Sequence, residues 1–154
     1  MMSRWFDWAV GLLYLGRVGF LSKLGLSVPA EPARADVGPF VVGRRYSEGH
    51  VQRHILRLHR DFADSWRICG DFLCVSVPAD AIEGSSYSVD DDTVSEYAQM
   101  IRCGSLPPAI VLDYDGDFID GGHRHAAAIL AGSNEILALV QISDIQEDSF
   151  TDDD

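Results

Sequence analysis

The sequence predicts an α+β fold in which helices pack on a small mixed sheet, and three observations lead to this prediction. Short apolar segments of strand composition alternate with segments whose apolar residues recur at helical spacing. An Asp-Gly dipeptide at 115–116, typical of a hairpin turn, separates two of the strand segments. With 154 residues and 47% apolar content, the chain is long enough to build one domain around a core.

The first seventy residues predict a helical extension ahead of the main domain. Apolar residues between Trp5 and Phe20 recur near helical spacing and indicate an amphipathic helix. The prolines within 29–35 are typical of a linker. Two alternatives stay open for this N-terminus: a secretory signal, since the small residues at 33–35 resemble a cleavage site, or a peripheral membrane surface. A membrane span is not predicted, because charged residues interrupt the stretch at Asp7, Arg17 and Lys23.

A second helix is predicted to begin at Ser47, whose hydroxyl is suited to cap it. One of its faces is apolar and the other is basic. The basic face is a candidate contact for a protein or nucleic-acid partner. Its arginines are Arg53, Arg57 and Arg60.

Neither a metal site nor a disulfide framework is predicted. His50 and His54 lie four residues apart, as two helical metal ligands would, but no third ligand completes the set, so solvated or anion-facing histidines are expected. Cys69, Cys74 and Cys103 form no Cys-x-x-Cys pair and leave one cysteine over. This usage favours a reducing, cytoplasmic setting.

From residue 71 onwards, strands and helices alternate as a mixed sheet requires. Apolar runs bounded by Pro, Gly and Asp mark the strands, and acidic residues precede a helical pattern where the helix dipole favours them. The predicted elements are a strand at 72–77, a helix from Asp90 to Gly104, a strand at 107–112, a hairpin turn at 114–117, a returning strand at 118–119 and a last strand at 136–142.

Between the last two strands lies the most informative segment, Ile119-Asp-Gly-Gly-His-Arg-His-Ala126. It joins a strand to an alanine-rich helix pattern, 126–131, that stops at Gly132. Tandem glycines allow a ligand to approach the backbone N–H groups, and a helix N-terminus adds positive dipole charge. The segment therefore predicts an anion-binding turn, with His123 and Arg124 as donors beside it.

Charge is distributed unevenly along the chain, whose formal net charge is −12. Residues 1–70 hold ten Lys or Arg and six Asp or Glu, whereas residues 71–154 hold two and eighteen. The acidic half repels a phosphate backbone at long range, so bulk DNA binding is not expected. Residues 146–154 are interpreted as a solvated acidic tail.

The order of motifs in residues 71–145 resembles the ParB/sulfiredoxin superfamily. The resemblance is carried by Ile101-Arg-Cys-Gly104, by Pro107-Pro-Ala-Ile-Val111, by Phe118-Ile-Asp-Gly-Gly-His-Arg124 and by the alanines that follow. It implies a mixed sheet with helices and a nucleotide phosphate held at 120–124. Arg124 matches an arginine shared by ParB and sulfiredoxin turns, and His123 matches the sulfiredoxin histidine.

Departures from these families matter as much as the matches. Gly122 stands where sulfiredoxins have their catalytic cysteine, so sulfiredoxin chemistry is not expected. Gly122 and Ala126 also replace the glutamate and the second basic residue of the ParB turn. A ParB that segregates chromosomes is likewise not expected.

Two functional hypotheses follow. In the first, the protein is an enzyme that binds ATP, ADP or CTP with Mg²⁺ and transfers or hydrolyses a terminal phosphate. Phosphate would be bound at Gly121, Gly122, His123 and Arg124, with Asp120 and His123 as catalytic residues and Asp120 also as the Mg²⁺ ligand. A turn or helix-capping residue explains Asp120 equally well. His125, one residue beyond Arg124, is expected to be structural or exposed. In the second hypothesis the protein is a non-catalytic regulatory or nucleic-acid-binding module; a nuclease is a weaker option.

Overall fold

The computed structural model describes residues 19–28, 39–59, 68–83 and 89–143. The predictions for the N-terminal amphipathic segment up to residue 18, the linker, Arg60 and the acidic tail lie outside these residues. Within them the predicted α+β class is confirmed, with helices and a five-stranded mixed sheet. None of the helices in these four ranges is long and apolar enough to cross a bilayer.

The sheet has the strand order β1-β2-β5-β3-β4. Its strands are β1 (Arg45–Tyr46), β2 (Phe72–Pro78), β3 (Ile110–Leu112), β4 (Phe118–Asp120) and β5 (Glu135–Gln141). All neighbours are antiparallel except β3 and β5, which run parallel. Among the described strands, β5, the last in sequence, is therefore the centre of the sheet, and β4, which leads into the glycine turn, is an edge strand.

Both faces of the sheet are covered, as the alternation along β2 shows. Leu73, Val75 and Val77 contribute to one apolar cluster, whereas Phe72 and Cys74 contribute to another on the opposite face. Helix α1 (Phe20–Lys23) and helix α4 (Gly122–Leu130) supply side chains to the first cluster, and helix α2 (Glu48–Leu58) supplies side chains to the second. Two buried faces explain why the central strands are apolar throughout.

Helix α3 (Asp91–Arg102) packs beside α4, and the two helices run in the same direction. At one end the imidazole of His123, on α4, contacts the backbone of Asp90, which caps α3. At the other end the guanidinium of Arg102 donates to the carbonyl oxygen of Leu130 at 3.2 Å. The N-termini of the two helices therefore lie side by side.

Several predicted boundaries shift for local reasons. The strand predicted at 107–112 begins only at Ile110, since Pro107 and Pro108 have no N–H to donate to a sheet. The helix predicted from Ala126 begins at Gly122, because the turn itself forms its first residues. Ser47 caps α2 as predicted, with its Oγ accepting from the N–H of His50 at 3.4 Å.

Residues on both sides of the expected domain boundary near residue 70 share one sheet. Arg45 and Tyr46 pair with Leu73 and Phe72, and the buried Val51 and Ile55 of α2 pack on the cluster that contains Phe72. The division at residue 70 stays a prediction about domains. In the structure, β1 and α2 complete the core of the segment that follows it.

Candidate functional site

The candidate site is the turn where β4 ends and α4 begins. Gly121 forms this turn with a φ of 115°, in the left-handed region that side chains disfavour. A Cβ at this position would lie 2.4 Å from Cγ2 of Ile110 and 3.1 Å from its Cα. The turn therefore needs glycine on two grounds, backbone conformation and close packing on β3.

Three backbone donors point out of the first turn of α4. The first helical hydrogen bond runs from the N–H of His125 to the carbonyl oxygen of Gly121, at 2.9 Å. The N–H groups of Gly122, His123 and Arg124 make no hydrogen bond within the described residues. A short row of helix N-terminal donors is an arrangement that binds anions.

Arg124 lies beneath this turn. Its side chain is 3% exposed, and its Nη1 donates to the carbonyl oxygens of Pro108 at 3.1 Å and Ala109 at 2.6 Å. Its Nη2 forms an ion pair with the carboxylate of Asp120. The sequence predicted that this guanidinium contacts a ligand. In the structure it contacts Asp120 on β4 and the carbonyl oxygens of the segment before β3.

Both carboxylate oxygens of Asp120 have partners. Oδ2 accepts from Arg124, and Oδ1 lies 2.8 Å from Nε2 of His59. The carboxylate is only 8% exposed, while the His59 side chain is 49% exposed. Residues from α4, β4 and the end of α2 thus meet in one charged cluster, Asp120–Arg124–His59.

The structure brings His59 into the site although sequence reasoning did not single it out. His59 is 61 residues from Asp120 and belongs to no motif around the turn. No local pattern marks a contact over that separation, since it depends on how α2 packs on the sheet. The weak available signal was a histidine at the end of a predicted basic helix.

The prediction that His50 and His54 are solvated or anion-facing is wrong. Nε2 of His54 donates to the carbonyl oxygen of Ala109 at 2.9 Å, and the ring of His50 contacts Phe40 with ring centres 5.1 Å apart. Burial lowers the pKa of His54, and the positive charges of Arg124 and Arg57 also lower it, whereas the hydrogen bond that His54 donates to Ala109 and the charge of Asp120 raise it. Both histidines are half-buried and contact the protein.

Two further histidines follow the turn. Nε2 of His123 accepts from the N–H of Asp90 at 3.0 Å, so its ring joins the rim of the turn to the start of α3. His125 lies one residue further, is 8% exposed and donates from Nε2 to the carbonyl oxygen of Ala79 at 2.7 Å. His125 is therefore buried and holds α4 against the end of β2, which is the structural alternative considered for it.

The basic face of α2 is exposed where it is described. The side chains of Arg53 and Arg57 are both exposed, and Arg60 lies outside the described residues. The rim of the turn on the α3 side is acidic, with Asp90, Asp91 and Asp92 in sequence. The turn thus lies between a basic helix and an acidic helix start.

The residues at the turn fit Mg²⁺ poorly as a resident ion. In the described part of the chain, no three His, Cys, Asp or Glu side chains gather into a group that could hold a metal. Asp120 offers a single carboxylate, and both of its oxygens already accept hydrogen bonds. A hard cation that prefers several oxygen ligands would need Asp120 to release His59.

Comparison with known proteins finds little. No protein-family model matches the chain, and no curated protein matches it. Among solved structures the chain is similar to the C2221 crystal form of a Pnob8-like ParB-N domain, with 14% sequence identity and a TM-score of 0.40. The match covers 47% of this chain and 31% of that one, so the two share no more than a distant likeness in fold.

Proposed function

We propose that the turn 120–124 binds phosphate groups of a nucleotide. The observation that carries this proposal is the row of N–H groups on Gly122, His123 and Arg124, which have no hydrogen-bond partner in the described residues. Gly121 and Gly122 add no side chain that would keep a phosphate away. The motif resemblance of residues 118–124 to nucleotide-binding turns supports the same ligand class.

Each predicted site residue has a role in this proposal. Gly121 and Gly122 shape the turn, and His123 lies at its rim next to the phosphate. Arg124 acts from below, because its buried guanidinium fixes the turn to the carbonyl oxygens of Pro108 and Ala109. It also offsets the charge of Asp120, which would otherwise repel a phosphate next to it.

Transfer or hydrolysis of the terminal phosphate, with Mg²⁺ on the nucleotide, is the catalytic form of the proposal. It requires Asp120 to act on a metal or on a hydroxyl group. The geometry supports binding more strongly than catalysis, since Asp120 already accepts from Arg124 and His59, and Nε2 of His123 already accepts from Asp90. We therefore place phosphate binding first and chemistry second.

Calorimetric titration with ATP, ADP and CTP, with and without Mg²⁺, tests the binding step. Gly122→Asp places a carboxylate on the first turn of α4, where it favours the helix but competes with a bound anion. We expect this variant to keep its fold and to lose nucleotide affinity. The matched control is Asn134→Asp, which adds the same charge at an exposed position between α4 and β5 and should bind as the wild type does.

The same titrations decide the alternatives. A wild-type protein that binds none of the three nucleotides at millimolar concentration contradicts the proposal. Binding without any release of inorganic phosphate leaves the regulatory module and removes the enzyme. Affinity that is the same with and without Mg²⁺ argues against Asp120 as a metal ligand.

A partner contact at the basic helix is the second candidate function. It is favoured by one observation, the exposure of Arg53 and Arg57 on successive turns of α2. Filter retention of DNA across a salt series tests it, because phosphate contacts weaken steeply as salt rises. Retention that is unchanged in the double variant Arg53→Ala/Arg57→Ala would exclude this surface as the nucleic-acid contact.

A further inference from the structure

A cleft opens at the end of α4 that lies opposite the glycine turn. It has a volume of about 440 Å³ and lies where the loop after α4 meets the end of β2 and the start of β5. Its lining includes Pro78, Asp80, Ile129 and residues 132–135, and we call it the α4 cleft. The nine residues of α4 separate it from the turn by about 13 Å. The α4 cleft is therefore a different site from the phosphate turn.

Hydrogen bonds hold the walls of the α4 cleft in place. The N–H of Ala79 donates to the carbonyl oxygen of Asn134 at 3.0 Å. Nε2 of the buried His125 donates to the carbonyl oxygen of Ala79 at 2.7 Å. Across the sheet, Pro78 at the end of β2 pairs with Glu135 at the start of β5. The fold itself thus forms the α4 cleft and fixes its shape.

One side of the α4 cleft is apolar. Ile129 leaves 52% of its surface exposed, although it lies on a helix that covers the sheet. Pro78, on the opposite wall, is exposed as well. Contact with an aliphatic chain would remove this apolar surface from water. This side of the α4 cleft therefore suits the hydrocarbon part of a ligand.

The other side of the α4 cleft is acidic. Asp80 and Glu135 are both exposed, and none of the described residues that line the cleft is Lys, Arg or His. Oε2 of Glu135 accepts from Oγ of Ser76 at 3.0 Å, whereas Asp80 has no side-chain hydrogen bond or ion pair within the described residues. The C-terminus of α4 adds the negative end of the helix dipole. The α4 cleft thus carries two negative charges that no lining residue offsets.

We propose that the α4 cleft binds a lysine or arginine side chain of a partner protein. Such a side chain has an aliphatic stem and a cationic end. The stem matches Pro78 and Ile129, and the cation matches Asp80 and Glu135. The charge of the chain supports the same occupant, because residues 71–154 hold eighteen acidic and two basic residues and attract a basic partner at long range. This inference does not depend on phosphate binding at the turn.

A nuclear magnetic resonance titration of the full chain with the blocked tripeptide acetyl-Gly-Arg-Gly-amide tests the proposal. We expect the amide signals of residues 79–80 and 132–135 to shift. The affinity should fall as salt rises, because salt screens the charges. A peptide with lysine in place of arginine should also bind. A peptide with norleucine, which keeps the aliphatic stem but has no charge, should not.

Variants of the protein separate the acidic side from the apolar side. Asp80→Asn and Glu135→Gln should each weaken the affinity for the peptide about two- to fivefold, as expected for an exposed ion pair. The matched control Glu96→Gln removes the same charge from an exposed position on α3 and should bind as the wild type does. Ile129→Ser should weaken binding, whereas Leu130→Ser, at a neighbouring residue that is 53% exposed and does not line the cleft, should not. Thermal melting verifies that each variant is folded.

Four results would overturn the proposal. A wild type that does not bind the arginine peptide at millimolar concentration would exclude the cleft as a docking site. Equal losses in Glu96→Gln and Glu135→Gln would show general charge attraction and no specific cleft. Butane-1,4-diamine that binds as tightly as the peptide would indicate a small-molecule site. A molecular mass that rises with protein concentration, and does not rise in Glu135→Gln, would assign the cleft to a second copy of this chain.

Discussion

At Gly121 a left-handed φ of 115° and the close approach of Ile110 leave no room for a side chain. At the neighbouring Asp120 and Arg124, two charges are buried against each other and against backbone carbonyls. In the structure these residue-scale contacts stabilise the turn. The assignment of Asp120 to catalysis and of Gly121 and Arg124 to phosphate binding stays a prediction.

Gly121→Ala is expected to lower the free energy of unfolding by about 2–5 kcal/mol, because alanine meets both the left-handed penalty and the overlap with Ile110. Gly132→Ala is the matched control at the other end of α4. Its φ is 72° with nothing within 4 Å of the added Cβ, so it should cost only about 1–2 kcal/mol. Urea unfolding measures both, and equal losses would contradict the steric argument.

Arg124→Met is expected to destabilise the fold by about 3–5 kcal/mol, because it removes the guanidinium that pairs with the buried carboxylate of Asp120 and the hydrogen bonds to the carbonyl oxygens of Pro108 and Ala109. Adding Asp120→Asn to that variant removes the uncompensated charge and should restore part of the loss. A double-mutant cycle of unfolding free energies measured in urea gives the coupling energy between Arg124 and Asp120. Strictly additive losses would show that the two side chains do not stabilise each other.

At the scale of elements, the strands and helices from residue 72 onwards follow closely from sequence. Apolar runs, the Asp-Gly hairpin and the acidic start of α3 each act over a few residues, so local patterns reveal them. The sequence predicted the candidate site only in part. The glycine turn was visible in the motif, but the contacts of His59 with Asp120 and of His54 with Ala109 span 61 and 55 residues and arise from tertiary packing.

The charged cap at the start of α3, Asp90, contributes to the stability of the fold in a pH-dependent way. Hydrogen bonds from Thr93, first from its side chain and then from its backbone, lower the pKa of Asp90 below the ordinary value of 3.8. The stabilisation by this charged cap is therefore complete above pH 3.8 and is lost as the pH falls through the lower pKa of the folded state. Asp90→Asn still caps the helix but carries no charge.

Melting temperatures recorded from pH ~6 down to pH ~2.5 test this contribution. The wild type should lose more stability than Asp90→Asn over the acidic part of the range. Above the acidic part of the range, the melting temperatures of the two proteins should differ by a constant amount. Parallel curves throughout would show that the charge on Asp90 does not stabilise the start of α3.

At the scale of the whole molecule, the described parts of the basic and acidic halves of the sequence contribute to one sheet and share its core. Strand β1 adds to β2, and Tyr46, Val51 and Ile55 cover the face formed by Phe72 and Cys74. The expected division at residue 70 rests on the family resemblance, which covers only residues 71–145. A resemblance over part of the chain does not report the tertiary contacts through which Tyr46, Val51 and Ile55 pack on the sheet.

A fragment that begins at residue 71 is therefore expected to lose cooperative folding, since one face of β2, β3 and β5 would be exposed to water. A fragment that begins at residue 19 retains α1, β1 and α2 and should keep it. Near-ultraviolet circular dichroism and thermal melts compare the two. A sharp transition in the shorter fragment would place the domain boundary at residue 70 after all.

Three contacts hold the turn in the structure: Ile110 packs against Gly121, carbonyl oxygens accept from Arg124, and the N–H of Asp90 donates to His123. Such preorganisation has a kinetic consequence, because association needs no prior rearrangement of the backbone. In a stopped-flow experiment the observed rate should rise linearly with ligand concentration, and differences in affinity between nucleotides should appear in how fast each one leaves.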